Sequence, residues 1–304
     1  MPDTGNGKLF RSGFVPITGL PNAGKSTLLN LLCSAGLSII SEKPQTTRNN
    51  ILGILNGRNF QAVFIDTPGF LKARNLFEKS MEHSIKRASL EGGDVCVLVA
   101  EPDIPPEAKL PLFGPLNSIR CPLFLAVNKT DRFPMEKAEK AAEFFKGLLP
   151  VARTFFISAA TGAGTGPLRS AIESALPEHE PYYPRDQITD RWERFYAAEI
   201  IRGQIYRLYA KEIPYASAVE IETFREHEGR PDEILAAVHV ARNSQKPILI
   251  GKGGRAVRIL RERAEKEIAS FLGRKIDLQI HVKVTPDWQN NPQFLKEIGF
   301  YEKK

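Results

Sequence analysis

The chain has 304 residues, 42% hydrophobic and 25% charged, a composition that suits one large soluble domain or two of ordinary size. No apolar run approaches the ~20 residues that span a bilayer, and Met1 to Phe14 lacks the apolar core of a signal peptide, so the expected location is cytoplasmic. With 42 Lys/Arg against 35 Asp/Glu the net charge is +7, which admits an anionic partner if the excess is local.

In chain order, the first half alternates short apolar runs with amphipathic stretches, the rhythm of a mostly parallel sheet covered by helices. Strands are predicted at Phe14–Thr18, Ala62–Asp66, Val95–Ala100, Leu123–Asn128 and Thr154–Ser158. Helices are predicted at Lys25–Ala35, Leu76–Leu90, Met135–Leu148 and Leu168–Ala175. Pro16 is awkward in a central strand, where it withholds a ladder donor. Cys33, Cys96 and Cys121 sit singly among aliphatic residues and read as buried thiols of a reducing compartment.

Residues 179–190, with Pro181 and Pro184, read as a linker between residues 1–178 and residues 191–304. Thr189 or Asp190 is expected to cap a helix from about Arg191 to Lys211. Two strands follow (about Ala216–Phe224 and Ile234–Ala241), then two helices and a last strand. There Ile276, Leu278, Ile280, Val282 and Val284 alternate with polar residues, the period of a half-buried sheet.

The chemistry is carried by four motifs in order. Gly19-Leu20-Pro21-Asn22-Ala23-Gly24-Lys25-Ser26-Thr27 fits the phosphate-loop pattern between a strand and a helix. Its backbone N–H groups can wrap phosphates, Lys25 can pair with the β/γ-phosphates, and Ser26 can ligate Mg²⁺. Asp66-Thr67-Pro68-Gly69 ends an apolar strand, placing a carboxylate for Mg²⁺ and a Gly69 N–H for a γ-phosphate. Asn128-Lys129-Thr130-Asp131 follows another buried strand, and Asp131 can accept from both guanine N1–H and the exocyclic amine, a pair that adenine lacks. Ser158-Ala159-Ala160 ends the last strand, where the Ala159 N–H could meet guanine O6. These motifs imply GTP and GDP as ligands.

Between the first two motifs lies Ser41 to Arg48, a loop that could close on the γ-phosphate; Thr47, in preference to Thr46, is expected to complete the magnesium shell. Phe70 follows Gly69 where Ras-like enzymes carry a water-orienting glutamine, so another water-positioner is needed or intrinsic turnover is slow. Asn22 has two readings: a partner for a bridging K⁺, or a residue that structures its own turn.

In the second half, Ile250-Gly251-Lys252-Gly253-Gly254-Arg255 is a G-x-x-G loop opening a helix that carries Arg258 near its start. Glycines admit a nucleic-acid backbone and lysine neutralises phosphate. From Arg242 to Lys283 there are 11 Lys/Arg against 4 Asp/Glu, a balance of +7 that equals the excess of the whole chain.

A P-loop GTPase domain of α/β class followed by an α+β KH module of the second type resembles the bacterial Era family. Beyond the nucleotide motifs, the resemblance rests on Gln45 to Arg48, Glu199 to Arg202, Glu212 to Tyr215, Ser244 to Lys246, Gly251 to Gly254 and Val282 to Trp288. Gly203 departs from it, standing where a larger polar residue is expected. The resemblance implies GTP hydrolysis by a monomer that binds the 3′ end of 16S ribosomal RNA and the 30S subunit. It also implies peripheral association with the inner membrane face.

Overall fold

The computed structural model describes residues 9–88 and 92–300. It divides into two compact units, one of Met1–Ser38, Thr47–Lys72 and Met81–Asp190, the other of Ile39–Thr46, Ala73–Ser80 and Arg191–Lys304.

The first unit is built on a six-stranded sheet, with β1 (Arg11–Thr18), β2 (Ile51–Asn56), β3 (Phe60–Asp66), β4 (Cys96–Ala100), β5 (Leu123–Val127) and β6 (Val151–Phe156) in the order β2-β3-β1-β4-β5-β6. All neighbours are parallel except β2, which runs antiparallel to β3. Helices α1 (Lys25–Cys33), α3 (Met135–Leu148) and α4 (Thr165–Ala175) complete the alternation, with the part of α2 (Leu76–Lys86) from Met81 onward. Every residue of β4 and β5 is buried, as expected of strands covered on both faces. The pattern predicts α2 as far as Leu90, which lies outside the described residues.

Three differences from the sequence reading have physical causes. β2 was not foreseen; it is a short antiparallel edge strand with Gly53 in the middle of its apolar run. Its outer edge is not left open, since the Ile54 N–H donates to Ile188 O at 2.9 Å. The Thr189 hydroxyl donates to Leu52 O at 2.8 Å. The stretch read as a linker is therefore packed on the first unit, covering a sheet edge. Pro16 costs nothing toward β4, because the β1–β4 ladder begins only at Ile17, and upstream the Asp94 carboxylate caps the Phe14 N–H at 2.7 Å. Finally, Glu107–Ser118, with Pro111 and Pro115 inside it, coils as a 3₁₀ segment where a longer helix could not form.

The second unit runs α5 (Glu193–Leu208), α6 (Ile213–Ala216), β7 (Ser217–Arg225), β8 (Asp232–Val240), α7 (Lys246–Ile250), α8 (Arg255–Leu272), β9 (Ile276–Val284) and α9 (Pro292–Glu297). α5 starts two residues later than expected, after Trp192 and without a side-chain cap. The sheet order is β7-β8-β9, antiparallel then parallel. Ile201, Ile205, Val238, Leu260, Ile268 and Leu278 fill its core, the apolar faces of α5 and α8 meeting the inward positions of the strands.

Candidate functional site

The phosphate loop joins β1 to α1. Gly24 caps α1 at φ 100°, and a Cβ there would come within 2.1 Å of Asn128 Nδ2, so only glycine fits. Asn22 has φ 66°, a left-handed conformation that asparagine tolerates, so its backbone role is accounted for. Lys25 is buried and folds back on the loop, donating to Gly19 O at 3.2 Å and Leu20 O at 2.9 Å. Burial pulls its ammonium down to about 8, against the opposing attraction of Asp66.

Ser26, Thr47 and Asp66 converge. The Ser26 and Thr47 hydroxyls lie 2.8 Å apart, and they donate to Asp66 Oδ2 at 2.7 Å and 3.2 Å. Asp66 is fully buried; desolvation raises its pKa while Lys25, Ser26, Ser38 and Thr47 oppose the shift. Its Oδ1 has no hydrogen bond of good geometry, the nearby Ser38 hydroxyl included. Two hydroxyls and a carboxylate with an idle buried oxygen fit a hard divalent cation with oxygen ligands. Thr46 is elsewhere employed, its hydroxyl donating to Lys43 O at 2.8 Å. Thr67 is buried and donates back to Ile17 O at 2.9 Å. Pro68 carries the chain to Gly69, where a Cβ would come within 2.7 Å of Pro21 N in the phosphate loop. Phe70 is core, edge-on to Phe113 at 5.4 Å, and positions no water.

At the guanine end, Asn128 is buried and doubly bonded: its Nδ2 donates to Ala23 O at 2.8 Å and its Oδ1 accepts the Ala159 N–H at 2.8 Å. The N–H expected for guanine O6 is thus engaged within the protein. Lys129, at φ 66°, forms an ion pair with Glu101. Glu101 was not anticipated, since it follows β4 with no motif around it. Asp131 is exposed. The Ser158 hydroxyl holds its pKa down, with Arg132 and Lys129 assisting.

In the second unit the G-x-x-G loop joins α7 to α8. Gly251, Gly253 and Gly254 have φ 72°, 61° and 76°, and a Cβ on Gly251 would meet Ala256 Cβ at 2.6 Å. Among the described residues, Lys252, Arg255 and Arg258 form no ion pair. Arg274 and Lys283, by contrast, are engaged by carboxylates of Glu193, Asp232 and Glu222.

The nucleotide half matches the family described as 50S ribosome-binding GTPase over residues 14–129, and the second half matches the KH domain family over residues 212–289. GTPase Era of Elusimicrobium minutum is 46% identical over 294 residues, covering 96% of this chain and 98% of that protein. The chain belongs to the GTPase Era family. It is a GTPase with an Era-type P-loop domain and a KH domain. GTPase Era of Carboxydothermus hydrogenoformans is 42% identical over 96% of this chain and 99% of that protein. The crystal structure of a point variant of Aquifex aeolicus Era bound to GDP·AlF4⁻ superimposes with a TM-score of 0.90 at 33% identity, covering 96% of this chain and 99% of that one. Era in complex with MgGDPNP and nucleotides 1506–1542 of 16S ribosomal RNA gives 0.89 at 34% identity, with the same coverage.

For this Era-family GTPase, the sequence missed side chains that stand beside the motif residues. Glu101, ion-paired with Lys129, and Ser38, close to Asp66, lie outside any pattern, and only folding brings them near.

Proposed function

We propose that this GTPase binds the 3′ end of 16S ribosomal RNA through its KH loop and uses GTP hydrolysis to time a step of small-subunit biogenesis. The observation that carries the reading is the full-length likeness to Era crystallised with that RNA segment and a GTP analogue. The convergence of Ser26, Thr47 and Asp66 supports its nucleotide half.

In this reading Gly19, Pro21, Asn22, Ala23, Gly24 and Thr27 shape the phosphate cradle, and Lys25 swings from the loop carbonyls to the β/γ-phosphates. Ser26, Thr47 and Asp66 would hold Mg²⁺, which supplies neutralisation of charge on the β- and γ-oxygens. The Gly69 N–H contacts the γ-phosphate. Asp131, Asn128 and Lys129 read and enclose guanine, with Ser158, Ala159 and Ala160 behind. Asn22 is assigned to a bridging K⁺; equal hydrolysis rates in matched Na⁺ and K⁺ buffers would leave it as a loop former.

Ile250, Gly251, Lys252, Gly253, Gly254, Arg255 and Arg258 form the RNA surface. No helix among the described residues is long and apolar enough to cross a membrane. Cytoplasmic work as a monomer, with peripheral contact at the inner membrane face, belongs to the same proposal and is carried by the family resemblance alone. The test is filter binding of a 16S 3′-terminal RNA and of a scrambled RNA, at two salt concentrations, with GDP or a non-hydrolysable GTP analogue bound. Equal affinity for the two RNAs would overturn the assignment.

A further inference from the structure

The segment Ile39–Thr46, between the phosphate loop and Thr47, packs with residues 191–304. It is fastened along one face of α5 at three-residue intervals. A Cβ on Gly203 would sit 3.4 Å from Ile39 Cγ1, so Ile39 lies directly over this glycine. The Tyr206 hydroxyl donates to Gln45 O at 3.0 Å. The Lys43 ammonium donates to the carbonyls of Tyr206 and Tyr209, at the C-terminal end of α5. Such carbonyls lack intrahelical donors and carry the negative end of the helix dipole, so a cation satisfies both needs. The Thr46 hydroxyl closes the turn onto Lys43 O.

One peptide bond further, Thr47 joins Ser26 and Asp66 in the cation-ligand set. We propose that Lys43 is a positioning residue that couples closure of the Thr47 loop to the RNA-binding unit, by holding segment 39–46 on the end of α5. A nucleotide that orders Thr47 orders a segment already anchored to α5. The coupling is reciprocal, since RNA that favours the anchored α5 must favour the ordered Thr47 to the same degree. The proposal rests on the RNA-linked GTPase reading above.

The experiment compares wild type, Lys43→Met and Lys43→Arg in full-length protein. It measures affinity for GDP, affinity for a non-hydrolysable GTP analogue, and affinity for 16S 3′-terminal RNA in each nucleotide state. In Lys43→Met, GDP affinity stays as in wild type, whereas analogue affinity falls about three- to tenfold, the range a partly buried helix-end cation commands. The ratio of RNA affinities between analogue and GDP states moves toward one by a similar factor. Lys43→Arg, which keeps the charge, restores most of that ratio, an outcome that simple loss of packing would not produce. An unchanged ratio in Lys43→Met, or failure of Lys43→Arg to restore it, overturns the proposal. Wild type that binds the RNA equally in both states also overturns it, while wild type that does not prefer the RNA overturns the functional reading itself.

Discussion

The Asn128 amide donates to the Ala23 carbonyl at 2.8 Å, so the Asn128–Asp131 loop is tied directly to the Gly19–Thr27 loop. Its other end holds the Ala159 N–H, and one buried side chain braces three motif loops. Asn128→Asp would keep the acceptor but lose the donor, setting a buried carboxylate against the Ala23 carbonyl. The expected cost is about 1–3 kcal/mol of stability, together with a marked loss of GDP affinity. Denaturant unfolding of the nucleotide-free protein, beside GDP titration, checks both; a wild-type unfolding midpoint would show the tie is dispensable.

Guanine selectivity should reside in Asp131. Its carboxylate can accept two hydrogen bonds from guanine, whereas the amide of Asp131→Asn has one acceptor and one donor face. The variant is expected to lose about a hundredfold in GTP affinity and to gain affinity for XTP, whose base carries a carbonyl in place of the amine. Competition among GTP, ATP and XTP measures this; ATP competing as well as GTP against wild type would contradict the guanine reading.

Lys25 gives a pH signature. Its folded pKa of about 8 lies below the ordinary 10.5, so between these values the unfolded chain holds the proton more often. Stability contributed by this group therefore rises with pH from about 8 to 10.5, and below 8 the cost of the buried charge is present in full. In the nucleotide-free protein, the stability of wild type relative to Lys25→Met should rise with pH between about 8 and 10.5. GTP hydrolysis by the variant should be abolished. A stability difference that stays constant with pH would place the titration elsewhere.

The KH loop can be tested without unfolding it. A Cβ on Gly253 would meet nothing within 4 Å, and its φ of 61° is one that aspartate tolerates. Replacing Lys252 and Gly253 with aspartate should lower RNA affinity at least about tenfold, since ~1.4 kcal/mol of repulsion suffices. GDP affinity should stay unchanged. Filter binding and nucleotide titration on one preparation decide, and undiminished RNA affinity would remove the loop from the RNA surface.

Much of this molecule was legible in one dimension, because phosphate, cation and base recognition use short contiguous motifs whose spacing the chain itself sets. Gly19 to Thr27, Asp66 to Gly69, Asn128 to Asp131 and Gly251 to Gly254 are each one short stretch of local backbone and adjacent side chains. The strands β4, β5 and β9 were equally plain, since burial on two faces or one imposes an unbroken or alternating pattern. The preference for Thr47 over Thr46 had little to rest on in sequence, because the two are adjacent and chemically alike; the path of the loop turns one hydroxyl to Lys43 O and the other to Asp66.

Charge shows the same division. The basic run from Arg242 to Lys283 could be counted from sequence, but not its partners. Arg274 is held between Glu193 and Asp232, and Lys283 by Glu222, all outside the run, so part of the excess braces the KH unit, while Lys252, Arg255 and Arg258 form no ion pair among the described residues. Likewise the polar segment 39–46 has no periodicity to announce a partner. Its seat on Gly203, Tyr206 and Tyr209 follows from a helix ending with unsatisfied carbonyls beside a lysine more than 160 residues away in sequence. Motif chemistry is local and was written in the sequence, whereas the pairing of distant charges, carbonyls and hydroxyls depends on which surfaces folding brings together, and that the tertiary structure alone decided.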